Sequence, residues 1–71
     1  MNRFLRYSLE HNRPIRAVFL LEDAMVQKTV TVLSLEEGCA ALQVGSRKTP
    51  LVVPLSDILS CDYARGDRGE E

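Results

Sequence analysis

Residues 14–63 carry five short runs of β-branched and apolar residues, separated by turn-forming residues and preceded by one helix-like segment. A chain of 71 residues has room for one domain with one modest core. The pattern predicts a mainly β fold: a small, closed or nearly closed, five-stranded barrel with one N-terminal α-helix. The domain is expected over residues 1–63. Residues 64–71 hold Gly66, Gly69 and charged side chains with nothing to bury, and read as a disordered acidic tail. There is no internal repeat and no sign of a second domain.

The helix is expected over residues 2–12, with Leu5 and Leu9 forming an apolar stripe that Met1 extends, and with Arg3, Arg6 and Glu10 facing water. Asn12-Arg13-Pro14 ends it, because a residue before proline is driven out of the α region. The first strand is expected over 15–22. Ile15, Ala17, Phe19 and Leu21 share one face, and Val18 and Leu20 make the other face apolar too. Such a strand should be covered on both sides, by the barrel interior and by the helix. Glu22-Asp23-Ala24 reads as a turn, and 26–35 as a second strand with Thr29 and Thr31 on its more exposed face. Glu36-Glu37-Gly38 is the clearest hairpin turn, since glycine supplies a positive φ. The third strand is expected over 39–44, a basic tip over 45–49, and the fourth strand over 50–55. Pro54 makes that fourth strand an edge or ends it there. A tight corner at Leu55-Ser56-Asp57 leads to the fifth strand, 58–63.

Composition narrows the function. The chain is 45% hydrophobic and 27% charged, which is ordinary for a soluble globular domain. No apolar run approaches the roughly 18 residues that cross a bilayer, so no membrane association is expected. No continuous apolar segment follows the N-terminal charges, so no signal peptide is expected either, and the cytoplasm is the expected location. Cys39 and Cys61 lack the spacing of a zinc site and read as small apolar fillers. His11, at the end of the helix, suits a structural role beside the helix C-terminus. No GxSxG, HExxH or phosphate-cradling glycine loop is present, and Glu36 and Glu37 fall in a solvated turn. No enzyme activity, cofactor or metal is therefore expected.

A helix followed by five strands, with a one-turn corner before the last, resembles the Sm-like and SH3-like small barrels. Arg13-Pro14-Ile15-Arg16-Ala17-Val18-Phe19, Lys28-Thr29-Val30-Thr31-Val32 and Pro54-Leu55-Ser56-Asp57-Ile58-Leu59 resemble the WYL domain, a bacterial family. Val53-Pro54-Leu55-Ser56-Asp57-Ile58 is also similar to the close of YolD-like proteins, which would imply a setting in DNA-damage-linked operons. The Trp-Tyr-Leu signature of WYL domains falls on Ala40-Ala41-Leu42, so the signature is degenerate. The strand-four arginine tied in that family to negatively charged ligands falls near Leu51, and the arginine before its closing isoleucine is Asp57. Ligand sensing is therefore not carried over. Sm proteins grip RNA with the loops after strands two and four, which here hold Glu36, Glu37 and Asp57, side chains that repel phosphate.

Charge is segregated along the chain. Residues 1–16 hold Arg3, Arg6, Arg13 and Arg16 against Glu10, and residues 55–71 hold Asp57, Asp62, Asp67, Glu70 and Glu71 against Arg65 and Arg68. With a pI near 5.8, internal or intersubunit complementarity is the first reading. The function expected is a non-enzymatic binding or assembly module, an accessory or regulatory interaction protein of bacterial cytosol. Its partner is expected to be another protein or a second copy, through an edge-strand dimer or ring. The alternative is a weak nucleic-acid-binding module for RNA or single-stranded DNA. Its contacts would be Arg3, Arg6, Arg13, Arg16, Arg47 and Lys48, with Tyr7 on the exposed helix face as a stacking platform.

Overall fold

The computed structural model describes residues 2–69. Helix α1 (Asn2–His11) precedes strands β1 (Ile15–Leu21), β2 (Ala24–Glu36), β3 (Cys39–Val44), β4 (Leu51–Pro54) and β5 (Ile58–Tyr63). One 3-10 turn, Leu55–Asp57, joins the last two strands. The fold is mainly β: five antiparallel strands in one sheet of order β4-β3-β2-β1-β5. The strands at its two edges, β4 and β5, do not pair, so no ladder closes the sheet into the expected barrel. The same two strands are nevertheless consecutive in the chain. In a flat sheet of this order the edges would lie four strand spacings apart, about 19 Å. A three-residue 3-10 turn advances only about 6 Å. The edges must therefore approach each other at that corner, and the sheet curls.

Tight turns and bulges produce the curl. Leu21 pairs with Ala24, leaving Glu22 and Asp23 as a two-residue turn with φ of 51° and 65°. Glu36 pairs with Cys39 across Glu37 and Gly38, at 50° and 76°. Two positive φ values in succession match the twist of adjoining strands. Register shifts between Val32 and Ser34 and between Val18 and Phe19 make Leu33 on β2 and Leu59 on β5 the extra residues of two bulges. Bulges bend a strand and increase its twist. The 13-residue β2 can thus serve β1 with residues 24–30 and β3 with residues 30–36.

One core fills the concave side: Leu5, Tyr7, Ile15, Ala17, Phe19, Val30, Val32, Ala40, Leu42, Val53 and Ile58. The buried face of α1 is turned away from the expected stripe. Leu5 is buried, but Leu9 is 37% exposed, and Tyr7 and Ser8 are buried instead. Met1 lies outside the described residues. Because Leu5 and Tyr7 belong to the same core as Ile15 and Phe19, α1 covers the concave side of β1 and not its outer face. Val18 and Leu20 on that outer face remain half-buried.

Ser8 has no exposed surface, yet its hydroxyl both donates and accepts. It donates to the Arg13 carbonyl at 2.6 Å and accepts the Val32 N–H at 2.8 Å, beside the β2 bulge. Replacing Ser8 with alanine removes both of these bonds and should cost about 2–4 kcal/mol, read as a lower urea midpoint. An unchanged midpoint would mean that water replaces the hydroxyl. Glu22 and Asp23 occupy the left-handed region without glycine, at a cost of about 1 kcal/mol each. Glu22→Asn with Asp23→Gly should therefore raise the midpoint, and a fall would show that the acidic side chains hold that turn.

Candidate functional site

The site begins at the end of α1. Asn12 takes φ 53°, and the Arg13 N–H returns to the Ser8 carbonyl at 3.2 Å, the bond that closes many helices past a left-handed residue. Pro14 prevents any continuation. This stop sets Arg13 beside Tyr7, whose hydroxyl accepts from Arg13 Nη1 at 3.3 Å. The same hydroxyl lies 3.0 and 2.9 Å from the two carboxylate oxygens of Asp67, to which it donates. Arg13 Nη1 is 3.8 Å from Asp67 Oδ1.

Asp67 is held from its own side as well. Its N–H donates to the Ala64 carbonyl at 2.9 Å, closing a turn in which Gly66 has φ 87°. Its Oδ1 accepts the Gly69 N–H at 2.9 Å. That N–H, with the Tyr7 hydroxyl and the Arg13 guanidinium, holds the Asp67 carboxyl below its ordinary range against the opposing effect of burial. Burial and the Asp67 contact push the Tyr7 phenol up. Gly69 packs on the Tyr63 ring so closely that an added Cβ would come within 2.6 Å of it. Tyr63 in turn meets Phe4 and Tyr7 edge-on, with ring centres 4.8 and 5.2 Å apart. Residues 64–69, part of the segment read from sequence as a tail, thus lie against Tyr7, Arg13 and Tyr63. Glu70 and Glu71 lie outside the described residues.

Between this turn and the start of β1 runs a groove of about 630 Å³, lined by Arg13, Pro14, Ala64, Arg65, Gly66, Asp67 and Arg68. Of the residues expected to meet nucleic acid, Arg3, Tyr7, Arg13 and Arg16 gather around Tyr63 and Asp67. Arg3 donates weakly to the Tyr63 hydroxyl at 3.5 Å and lies 5.1 Å from the Phe4 ring centre. Arg16 donates to the Tyr63 carbonyl at 3.0 Å and to Asp62 Oδ2 at 3.2 Å. Arg6 is exposed on α1. Arg47 and Lys48 stand apart in the β3–β4 loop, where Arg47 Nε donates to the Thr49 carbonyl at 3.1 Å and Gln43 donates to the Gly45 and Arg47 carbonyls. Tyr7 corrects the expectation. It is 8% exposed with its hydroxyl engaged, so its ring is no stacking platform. Arg65 and Arg68 were missed, and the only local signal for them is the glycine spacing around Asp67, which marks turns.

The sheet edges are blunted. The Leu55 N–H donates to the Gly38 carbonyl at 2.8 Å, which continues the β3–β4 ladder. Bonded pairs alternate in an antiparallel ladder, so Leu51 and Val53 face β3 while Pro50, Val52 and Pro54 face the open edge. Two of those three positions have no N–H. On β5, the Tyr63 N–H donates to Asp62 Oδ1 at 2.7 Å, and its carbonyl accepts from Arg16. The outer face carries an apolar patch at one end: Leu20 pairs with Met25, which is 69% exposed, and Val18, between Gln27 and Ser60, lies beside the bulged Leu59, while Arg16, Thr29 and Asp62 make the other end polar.

Cys39 and Cys61 are free thiols, and burial pushes Cys61 up. Among the described residues no three His, Cys, Asp or Glu side chains converge to hold a metal, and no helix is long and apolar enough to cross a membrane.

Because the folded Asp67 carboxyl titrates below its unfolded value, the unfolded chain takes up the proton first as pH falls. The stability it contributes is full above the ordinary carboxylate range, near pH 4, and is lost as pH drops through the folded value. Asp67→Asn should flatten the acid limb of a stability–pH curve relative to wild type, and coincident limbs would contradict the assignment. Compared with known proteins, the chain matches no family model, no curated protein and no solved structure.

Proposed function

We propose that the chain is a non-enzymatic binding module, an SH3- or Sm-like small barrel that serves as an accessory or regulatory interaction protein of bacterial cytosol. The curled five-stranded sheet and the 3-10 corner before β5 support the small-barrel reading. The relationship to WYL and YolD-like proteins belongs to the same proposal. One observation carries the interaction reading: the outer face exposes Met25 and Leu59 next to Leu20 and Val18, while prolines leave the β4 edge a single outward N–H. A protein partner, or a second copy, then docks on the face of the sheet. Edge-to-edge pairing into a dimer or ring is the less favoured route, because Pro50 and Pro54 leave β4 one outward N–H.

Nucleic-acid binding is the second reading. It is favoured by the gathering of Arg3, Arg13, Arg16, Arg65 and Arg68 near Tyr63, while Glu22, Asp23 and Glu37 occupy hairpin turns. With Tyr7 buried, such binding would rest on phosphate contacts and read little sequence.

Light scattering across micromolar concentrations and capture from nuclease-treated bacterial lysate test the first reading. Met25→Asp with Leu59→Asp should leave the fold intact and weaken self-association or partner capture by about tenfold or more. A wild-type chain that stays a monomer and captures nothing the variant loses would contradict it.

A further inference from the structure

We propose that the groove between Arg13-Pro14 and residues 64–68 is a binding site for a phosphate group. Among the described residues two exposed guanidinium side chains, Arg65 and Arg68, line it together with Arg13, which is engaged with Tyr7 and Asp67, and Asp67 is the one carboxylate of that lining. That carboxylate is already committed to the wall of the groove. Its oxygens accept from the Tyr7 hydroxyl and the Gly69 N–H, and its side chain is only 14% exposed. Arg65 and Arg68 are exposed and make no ion pair among the described residues. Among the described residues Arg65 and Arg68 therefore give the groove positive charge that no carboxylate of its lining offsets.

Its shape is set in advance. The two walls lie about fifty residues apart in the chain, and the Tyr7–Asp67 bonds and the packing of Gly69 on Tyr63 tie them together. A volume of about 630 Å³ falls within the range of clefts that hold small molecules, about 300–1,000 Å³. Every cation in it is arginine. The planar fork matches two oxygens of a phosphate at once, which the point charge of lysine does not. The group could come from a small phosphate ester or from the backbone of a single-stranded nucleic acid, and the chemistry at the groove is the same. The assignment does not depend on the outer-face interaction reading, so Met25→Asp with Leu59→Asp should leave it unaffected.

The test is a titration of the full chain with inorganic pyrophosphate, and separately with a short single-stranded oligonucleotide, at fixed ionic strength and followed by amide and arginine side-chain NMR. Saturable shifts are expected at Arg13, Arg65, Gly66 and Arg68, and not at Arg47 or Lys48. Arg65→Ala with Arg68→Ala should weaken pyrophosphate binding about tenfold or more, with an unchanged unfolding midpoint. Arg65→Lys with Arg68→Lys, which keeps the charge, should restore only part of it. Pyrophosphate binding alone assigns a small phosphate ester, and oligonucleotide binding that pyrophosphate displaces assigns a nucleic-acid backbone. Absence of saturation, equal shifts at Arg47 and Lys48, or an oligonucleotide that binds without touching the groove would each overturn the proposal. The last of these would leave nucleic-acid binding through Arg3, Arg6 and Arg16 standing.

Discussion

The buried Ser8 hydroxyl joins three parts of the chain: the helix, the segment just after it and the β2 bulge. At the β2 bulge the Val32 N–H needs a partner, and Ser8 Oγ supplies one at 2.8 Å. The Arg13 carbonyl, next to a proline and just outside the helix, receives the hydroxyl proton at 2.6 Å. A ten-residue helix is marginal in water on its own. It persists here because Leu5 and Tyr7 join the core and because this one buried hydroxyl fixes its height and rotation. Everything placed by α1 depends on that contact: Arg3 and Phe4 against Tyr63, Tyr7 against Asp67, and Arg13 at the head of the groove.

The curl of the sheet and the distribution of charge serve one arrangement. Bulges at Leu33 and Leu59 bend the strands, and the 3-10 corner brings the two edges round. An open curl leaves edges that invite aggregation. On β4 prolines remove every outward donor but the Val52 N–H, and on β5 the Asp62 and Arg16 side chains occupy the backbone of Tyr63. Acidic residues take the hairpin turns Glu22-Asp23 and Glu37-Gly38, and arginines take the junctions beside α1 and after β5. A chain with a net charge of −1 can therefore present a basic groove.

The strands were legible because each is a local pattern of apolar alternation closed by a turn residue, and the boundaries of β3 and β5 match the expected ones. The helix was legible as a helix, but its buried face was not. Leu9 looks like core and Ser8 does not, and the partner that makes Ser8 buriable lies 24 residues away at a bulge that no local pattern marks. Tyr7 is the same case at longer range, since Asp67 is 60 residues distant. Arg65 and Arg68 were read as tail because residues 64–69 hold no large apolar side chain. What holds that segment is hydrogen bonding through Asp67 and the fit of Gly69 on Tyr63. β2 began earlier than expected because Glu22 and Asp23 make a two-residue turn without glycine.

The most direct test of this account is amide hydrogen exchange at Val32. If the Ser8 hydroxyl holds the helix to the bulge, the Val32 amide opens only with global unfolding and exchanges among the slowest in the chain. Exchange as fast as that of the outward-facing Val52 amide on the β4 edge would mean that the bulge is open to water. Neither the helix nor the groove beside it would then be held as described.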